Sequence, residues 1–220
     1  MVYEEIVHPM ELDYFEKMLP RKDLIELIPE GARRILDVGC GMGATGKILR
    51  EKGLEEIFGI EVNPIAAQKA RVYYKEVILG DIEKCILPFD KGFFDCILYG
   101  DGLEHLIDPW GTLRRHREIL KDDGTIICSI PNVRYYKLLK SLIFNGRWEY
   151  VDLGILDRTH LRFFTLNTVQ HMFRETGFKI EKVIKKKRCS KAMKFINRMV
   201  LNRLVDFLVI QYRVIGIKEG

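Results

Sequence analysis

A glycine-rich turn between a short apolar segment and a helical one constrains this chain more than any other stretch. It reads RRILDVGCGMGATG and covers residues 33–46. Ile35, Leu36 and Val38 have the apolar pattern of a buried strand, and glycines follow at once. Glycines allow a tight turn and let a ligand approach bare backbone at a helix N-terminus. The stretch therefore predicts a strand–turn–helix unit that binds a ligand.

Three binding motifs overlap in this turn. Residues 41–47 have the spacing of a phosphate-binding loop, but Ile48 stands where Ser or Thr would hold Mg²⁺. Residues 41–46 fit a dinucleotide fingerprint, with Glu61 downstream as a ribose acid. The third motif is the Asp-x-Gly-x-Gly turn that begins at Asp37. Because a carboxylate repels phosphates and suits a cationic cofactor without phosphate, we favour the third motif.

The Asp-x-Gly-x-Gly turn resembles the first motif of class I S-adenosylmethionine (SAM) methyltransferases. The resemblance continues with Glu61 in IFGIEVN, with Asp81 in VILGDIE, and with the segments FFDCILYGDGLEHLIDPW and LKDDGTIICSIPN. Together these five ordered matches run from Ile35 to Asn132. The resemblance implies a methyltransferase that uses SAM as its cofactor.

Carried over position by position, the resemblance also implies roles for individual residues. Cys40 and its flanking glycines would lie beside the methionine portion of SAM, and Asp37 would order the loop. Glu61 would accept both ribose hydroxyls, because a carboxylate has two oxygens for a diol. Asp81 would take the adenine amino group, with Ile82 against the ring. The cofactor site is thus expected to comprise Asp37, Gly39, Cys40, Gly41, Glu61, Asp81, Ile82 and Asp101. Taken alone, Glu61 or Asp81 could equally be a surface acid that ends a strand.

Two histidines are the candidate catalytic residues. His105 follows the fourth predicted strand in the segment Asp101-x-x-Glu104-His105. Some O-methyltransferases, including those of ubiquinone synthesis, hold a divalent cation with an acid-x-x-Glu-His segment. In this chain the shorter Asp101 stands where that segment has its first Glu. The alternative to a metal site is that Glu104 and His105 cap the following loop without a metal, and we favour this alternative. His160, in an Asp-Arg-Thr-His run, is the second candidate. Either imidazole could take a hydroxyl proton near neutral pH.

Alternating strands and helices predict an α/β fold. The predicted helices cover residues 11–19, 21–28, 44–52, 64–74, 109–120, 165–176 and 190–204. The predicted strands cover residues 35–38, 57–62, 76–79, 94–99, 125–130, 178–184 and 208–218. The alternation indicates right-handed crossovers and a parallel sheet covered on both faces. The last two strands suit an antiparallel hairpin, so we expect a Rossmann-like, doubly wound, seven-stranded sheet in a single domain over residues 1–220.

Residues 132–165 form an insertion with a different composition. Aromatic side chains stand among arginines here, directly after the fifth predicted strand. Ligands of open α/β sheets bind outside the carboxyl ends of the strands, so we expect this insertion to form an acceptor-binding lid with a small aromatic cluster of its own. The string LDRTHLRFFT resembles a segment of methyltransferases from sugar and surface-polysaccharide pathways. That likeness implies a small-molecule or glycan acceptor.

The positive charge of the chain is concentrated near its end. The net charge is +5, yet residues 182–203 contain nine basic side chains and no acidic one. We favour a solvated helix face and a strand edge protected by lysines, and we keep a weak contact of residues 182–203 with an anionic membrane as the alternative. We expect no nucleic-acid partner, because aromatic side chains for stacking are missing apart from Phe195.

The remaining features concern location and class. No apolar run is long enough to span a bilayer, the first residues lack the form of a signal peptide, and five cysteines occur without a CxxC pair. These features predict a reduced, cytoplasmic protein. Three functions are weighed: a methyltransferase acting on oxygen or nitrogen, a non-catalytic SAM-binding partner, and an NAD-dependent oxidoreductase. Asp37 and the predicted hairpin disfavour the oxidoreductase.

Overall fold

A seven-stranded mixed sheet forms the centre of the computed structural model, which describes residues 19–219. Its strands, in chain order, are β1 (Ile35–Val38), β2 (Ile57–Glu61), β3 (Glu76–Leu79), β4 (Phe94–Gly100), β5 (Leu120–Pro131), β6 (Phe178–Lys187) and β7 (Val209–Lys218). The spatial order is β3-β2-β1-β4-β5-β7-β6. Strands β1 to β5 pair in parallel, and β7 runs antiparallel to both β5 and β6. The predicted fold class, with its antiparallel C-terminal hairpin, is confirmed.

Helices connect the strands and cover the sheet. They are α1 (Lys22–Ile25), α2 (Ala44–Glu51), α3 (Pro64–Ala70), α4 (Pro109–Ile119), α5 (Tyr136–Asn145), α6 (Leu166–Glu175) and α7 (Lys191–Met199). Two 3-10 helices cover Leu103–His105 and Val205–Leu208. Within residues 19–219, no helix is long and apolar enough to cross a bilayer.

Several element bounds differ from the predicted ones. The predicted helix over residues 11–19 lies outside the described residues, apart from Leu19. Helix α3 ends at Ala70 rather than near Tyr74, because the chain turns there and carries the Tyr74 side chain into the core. Helix α7 ends at Met199 rather than 204, since Leu201 and Asn202 adopt φ angles of +54° and +62°. The single domain over residues 1–220 stays a prediction.

The period-two pattern of the strands divides the core between the two faces of the sheet. Leu36, Val38 and Phe58 belong to the larger apolar cluster, on the face covered by α4 and α6. Ile35 and Ile57 belong to the second cluster, which α2 and α3 cover. Successive strand residues point to opposite faces, so a strand that is buried on both sides reads as a continuous apolar run.

Helix caps fix where two of these helices begin. The Asn63 side chain accepts hydrogen bonds from the backbone N–H groups of Ile65 and Ala66, both at 3.0 Å, and Pro64 occupies the first helical position. This is the cap predicted for α3. The Thr165 hydroxyl accepts from the Thr168 N–H at 3.2 Å and begins α6 in the same way.

The aromatic side chains of the lid, residues 132–165, do not form the single small cluster that the sequence predicted. Phe164 is buried in the main core, and Trp148 packs edge-on against Phe163 with ring centroids 5.3 Å apart. Helix α5 has no buried residue, and Phe144 and Tyr150 are exposed. A second edge-on pair joins Tyr135 and Tyr136, with ring centroids 5.0 Å apart. The predicted aromatic side chains are therefore divided between the core, two local pairs and the surface.

Candidate active site

The carboxyl ends of β1, β2 and β4 meet at one edge of the sheet, which we call the ligand edge. Val38 pairs with Ile60 on one side and with Tyr99 on the other. The loops that follow these three strands therefore start next to each other. They carry most of the predicted cofactor residues and both residues of the Glu104-His105 segment.

The glycine loop, residues 39–43, is bonded to the end of β2 by backbone and carboxylate groups. The N–H groups of Gly39 and Cys40 donate to the Ile60 carbonyl at 2.9 and 3.0 Å. Gly41 has a φ of +54° and donates its N–H to Glu61 Oε2 at 2.9 Å. A side chain at position 41 would be strained in this conformation. The loop shape therefore depends on Glu61 as well as on glycine.

Glu61 is buried and accepts two backbone hydrogen bonds. Its Oε1 accepts from the Asn63 N–H at 2.9 Å, and its Oε2 accepts from Gly41. Burial raises the pKa of Glu61, while the hydrogen bonds from the Asn63 and Gly41 N–H groups act in the opposite direction. Each carboxylate oxygen offers about two lone pairs. One acceptor position on each oxygen thus remains for a ligand.

Asp37 supports the glycine-rich turn through a hydrogen bond with Tyr74. The Tyr74 hydroxyl donates to Asp37 Oδ2 at 2.5 Å and accepts the Gly46 N–H at 3.0 Å. A Cβ at Gly46 would lie 2.3 Å from the Tyr74 ring, so only glycine permits this contact. Burial raises the pKa of Asp37 to about 6, although the Tyr74 hydroxyl lowers it in part. Asp37 therefore connects β1, the start of α2 and the chain after α3.

Cys40 contributes backbone to the loop, whereas its side chain turns away from the ligand edge. The thiol is buried, and a Cβ placed on Gly59 would meet Cys40 Sγ at 2.7 Å. Burial raises the pKa of the Cys40 thiol well above its ordinary value, and the carboxylates of Asp37 and Glu61 add to the shift. The thiol is therefore an uncharged packing group.

Asp81 and Ile82 lie just beyond β3, in the loop that leads back toward β4. Asp81 forms an ion pair with Lys84 at 2.8 Å and accepts the Glu83 N–H at 2.9 Å. Partial burial would raise the pKa of Asp81, but the bonds to Lys84 and Glu83 lower it overall. Ile82 is buried against the main core, and its carbonyl accepts from Arg115. An ionised acid beside an apolar side chain suits an adenine ring with its amino group.

Asp101 is a junction of the ligand edge. Its Oδ2 accepts from Arg21 Nη1 at 2.5 Å, and its Oδ1 accepts from Ser129 Oγ at 2.7 Å and from Gln211 Nε2 at 2.6 Å. The backbone adopts a φ of +62° there, which is uncommon for a residue other than glycine. Asp101 therefore joins the segment before α1 to β5 and β7.

The larger of two cavities in the structure does not lie at the ligand edge. A cavity of about 30 Å³ lies beside the glycine loop and is lined in part by Leu19, Arg21, Asp37, Gly41 and Gly100. A larger one of about 500 Å³ lies at the opposite edge of the sheet, where Arg34 pairs with Glu56 and Lys121 with Asp95. Both of its acidic side chains are thus paired with basic ones, and we assign the larger cavity no ligand.

The lid brings His160 next to His105, and we call these two residues the histidine pair. Their ring centroids are 4.8 Å apart in an edge-to-face arrangement. His105 Nδ1 lies 3.1 Å from Thr159 Oγ1 and 3.3 Å from the Thr159 carbonyl oxygen. The Thr159 hydroxyl donates to Asp157 at 2.6 Å, so both oxygens of Thr159 accept from His105. This assigns the proton to Nδ1, so Nε2 of His105 carries the lone pair and has no hydrogen-bond partner among residues 19–219.

Glu104 lies beneath the histidine pair without a hydrogen-bond partner for its carboxyl group. Both oxygens are buried and unpaired within residues 19–219, and Oε1 lies 4.0 Å from His160 Nε2. Burial raises the pKa of Glu104 well above its usual range, and Asp101 adds to the shift. Burial also lowers the pKa of His105, and His160 adds to that effect. The site thus places a neutral imidazole over a carboxyl group that favours its neutral form.

The metal-ligating group that forms differs from the one considered in the sequence. Asp101 accepts bonds from Arg21, Ser129 and Gln211 and does not join Glu104 and His105. Instead, one ligand atom from each of Glu104, His105 and His160 lies within 4.8 Å of the others. The set Asp101/Glu104/His105 is therefore corrected to Glu104/His105/His160.

Three side chains at this edge were missed in the sequence. Arg21 precedes a four-residue helix, Tyr74 follows the end of α3, and Thr159 stands beside the predicted His160. Arg21 and Tyr74 belong to no recognisable motif, whereas Thr159 lies in the string LDRTHLRFFT, in which the sequence singled out His160. A signal for Tyr74 was Gly46, which lies on the buried side of α2, where a small residue leaves room for a neighbour.

Comparisons with known proteins agree with this geometry. A family model described as a methyltransferase domain matches residues 10–183. A ubiquinone biosynthesis O-methyltransferase from Cereibacter sphaeroides is 27% identical over 180 residues, which cover 78% of this chain and 71% of the relative. One from Neisseria meningitidis is 28% identical over 182 residues, with 79% and 71% covered.

A solved structure shares the fold. The SAM-dependent methyltransferase from Archaeoglobus fulgidus superimposes with a TM-score of 0.67 at 19% identity, covering 89% of this chain and 91% of the other. At that identity the likeness concerns the fold alone.

Proposed function

This chain belongs to the methyltransferase family and is a SAM-dependent enzyme, and we propose that it methylates a hydroxyl group of a small-molecule or glycan acceptor, with His105 as the general base. The observation that carries the proposal is the free Nε2 of a neutral His105 at the ligand edge. The relatives named O-methyltransferase support an oxygen acceptor.

The cofactor end of the proposal rests on the glycine loop and Glu61. Glu61 keeps one acceptor position on each oxygen after bonding Gly41 and Asn63, which suits the two hydroxyls of a ribose. Gly39 and Gly41 leave the backbone open to the methionine portion, and Asp37 orders the loop through Tyr74. Asp81 and Ile82 then meet the adenine.

Arg21 is a further cofactor residue in this proposal. Its guanidinium lines the small cavity beside the glycine loop and pairs with Asp101. A cavity of about 30 Å³ holds roughly one water molecule, so SAM needs more room, which a movement of lining side chains such as Leu19 and Arg21 would supply. The SAM carboxylate would then replace Asp101 as a partner of Arg21, because a guanidinium binds carboxylates in a bidentate geometry.

The acceptor end rests on the histidine pair. Methyl transfer from a sulfonium is an in-line displacement, so positioning the acceptor oxygen supplies much of the rate. His105 takes the hydroxyl proton at Nε2, while Thr159 holds Nδ1 and so fixes the ring. The imidazolium that forms is stabilised by Thr159 and, behind it, Asp157. His160 closes the pocket from the lid.

The donors Glu104, His105 and His160 also fit a divalent cation. Two imidazoles and one carboxylate are a common ligand set, and the buried, unpaired oxygens of Glu104 would gain a partner. A cation held there would polarise the acceptor oxygen. The base role proposed for His105 does not require it.

An acceptor screen with SAM labelled in its methyl group tests the proposal. Phenolic and sugar hydroxyl compounds should yield labelled product together with S-adenosylhomocysteine, whereas primary amines should not. Labelling of amines alone would contradict the oxygen acceptor. SAM binding without turnover on any acceptor would instead indicate a non-catalytic binding protein.

A cytoplasmic location stays a prediction. All five cysteines are free thiols, which agrees with a reducing compartment.

A further inference from the structure

The helix between β6 and β7 presents an outward face that a simple solvated surface does not explain. Lys191, Lys194, Phe195, Arg198 and Met199 follow the spacing i, i+3, i+4, i+7, i+8, which places them on one side of α7. All five are exposed. The outward side of α7 is thus both basic and apolar.

The apolar members of this face are large and mostly exposed. Phe195 is 66% exposed and Met199 is 69% exposed, and Leu201, directly after the helix, is 80% exposed. The sequence alone favoured a solvated basic face over residues 182–203. Clustered exposed apolar side chains are unusual on such a face and mark an interaction surface.

Within residues 19–219, the three basic members of this face form no ion pair. Of the nine basic side chains in residues 182–203, Lys185 forms an ion pair, with Asp206 at 2.7 Å. Among residues 19–219 no acidic group forms an ion pair with the other eight. An anionic partner would supply the missing counter-charges.

This face lies beside the ligand edge. Gln211 near the start of β7 pairs with Pro131 at the end of β5, and the Tyr135 hydroxyl donates to the Arg188 carbonyl at 2.8 Å. Helix α5 of the lid leaves from the same place and exposes Ile143 and Phe144. A surface that contacts α7 would therefore lie next to the lid.

We propose that α7 docks the enzyme on the anionic surface of a phospholipid bilayer. Phe195, Met199 and Leu201 enter the boundary between head groups and acyl chains, and the basic side chains contact the lipid phosphates. A helix with a basic and an apolar component on its exposed side is the kind that lies in a membrane interface. The inference goes beyond methyl transfer and does not depend on it.

Two other occupants fit this face less well. A nucleic acid would leave Met199 and Leu201 unused, and Phe195 is the only aromatic residue of the segment 182–203 available for stacking. A second copy of the chain in a two-fold contact would bring the basic side chains of α7 against one another. A bilayer satisfies both components at once.

Vesicle sedimentation of the full chain tests the proposal. We compare phosphatidylcholine vesicles with vesicles that also contain an equal amount of phosphatidylglycerol. The protein should bind the anionic vesicles and not the zwitterionic ones, and added salt should weaken the binding. Equal binding to both vesicles, or none to either, overturns the proposal.

A charge-reversal variant with a matched control locates the surface. The triple variant K191E/K194E/R198E should lose at least about 100-fold in vesicle partitioning, since each basic residue contributes about fivefold and reversal adds repulsion. The control R33E/R50E/K52E makes the same change in net charge at exposed positions away from the ligand edge. It should stay within about threefold of the natural chain. Equal losses in both would mean unspecific attraction.

A second variant keeps all charges and removes the apolar contacts. F195S/M199S should reduce partitioning into anionic vesicles by about tenfold or more while leaving SAM affinity unchanged. An unchanged partitioning overturns the insertion of α7. So does a dimer in solution that the same variant dissociates, or tighter binding of single-stranded RNA than of anionic vesicles at equal salt. SAM affinity, measured in every variant, shows that the chain is folded.

Discussion

The glycine loop donates backbone N–H groups to the end of β2, whereas His105, in the loop after β4, meets His160 and Thr159 of the lid through side chains. In the first region, Glu61 bonds the N–H of Gly41, and the Ile60 carbonyl accepts from two residues of the glycine loop. In the second, His105 and His160 approach from segments about 55 residues apart along the chain, and Thr159 joins them. We call these regions the cofactor half and the acceptor half. The Gly41–Glu61 bond of the cofactor half joins residues 20 positions apart along the chain, while the His105–Thr159 contact of the acceptor half spans 54 positions and depends on the position of the lid.

The sharpest test of this contrast is His105→Ala. Turnover should fall by about 10²–10⁴-fold, because the acceptor hydroxyl loses its base, while SAM affinity should stay within about twofold. Turnover is measured with saturating SAM and affinity by calorimetry. His171→Ala is the control, since His171 lies exposed on α6, with Nδ1 3.0 Å from Glu175 Oε2. Loss of SAM affinity in His105→Ala would show that His105 also acts in the cofactor half and would contradict the division into two halves.

The pH profile of turnover adds to that test. Burial lowers the pKa of His105 below its usual 6.5, so the base stays neutral and active down to a lower pH than an exposed histidine would. The acid limb of kcat should therefore lie below pH 6.5. An acid limb above that value would exclude His105 as the base.

In the cofactor half, Glu61→Ala should weaken SAM binding by roughly ten- to a hundredfold, or about 1.5–3 kcal/mol. The variant removes the acceptor of the ribose hydroxyls and also releases the Gly41 N–H. Isothermal titration with SAM measures the loss. Glu56→Ala, at the other end of β2 and outside the ligand edge, should bind SAM normally. Unchanged affinity in Glu61→Ala would remove Glu61 from the cofactor site.

Asp37 should make the stability of the cofactor half depend on pH. Its pKa is raised from 3.8 to about 6 in the folded chain, so the folded state binds the proton more readily than the unfolded state. That contribution to stability is complete below pH 3.8 and is lost as the pH rises through about 6. From pH 7.5 to pH 5 the free energy of unfolding should rise by about 1.4 kcal/mol more than in Asp37→Asn. Denaturant titrations of both proteins at the two pH values give the difference, and parallel curves would refute it.

The smallest expected effect comes from Glu104→Gln combined with a chelator. Because Glu104 favours its neutral form, the neutral amide should preserve turnover within about threefold, and EDTA should change nothing. Glu104→Ala serves as the contrasting variant, since it leaves a cavity beneath the histidine pair. Loss of turnover with EDTA that Mg²⁺ or Mn²⁺ restores would instead show that Glu104, His105 and His160 hold a cation.

The cofactor half was largely predictable from the sequence, because each of its residues ends or follows a strand in a fixed order. Glu61 and Asp81 stand at or just beyond strand ends, where parallel strands bring side chains together. Their contacts to SAM stay predictions. Arg21 escaped notice because a single arginine before a short helix forms no pattern, and its role depends on Asp101, 80 residues away.

The acceptor half was harder to predict for a physical reason. Sequence order placed His105 at the end of β4 and His160 in the lid, but it did not show whether the lid folds back. The hydrogen bonds of Asp101 to Ser129 and Gln211 are also set by the sheet order, in which β7 lies next to β5. Because of this strand order, Asp101 accepts hydrogen bonds from β5 and β7 and does not join the candidate metal ligands. The bounds of α3 and α7 differ because one inward tyrosine and two left-handed residues end the helices early.

The Glu104 carbonyl has a mechanical consequence. It accepts the N–H groups of Leu161 and Arg162 at 2.8 and 3.0 Å, so the returning segment of the lid is bonded to the loop that carries His105. A movement of that segment away from the loop would break both bonds. Helix α5, in the outgoing segment, has no buried residue. An opening movement that kept both bonds would therefore displace α5 and leave the two imidazoles together.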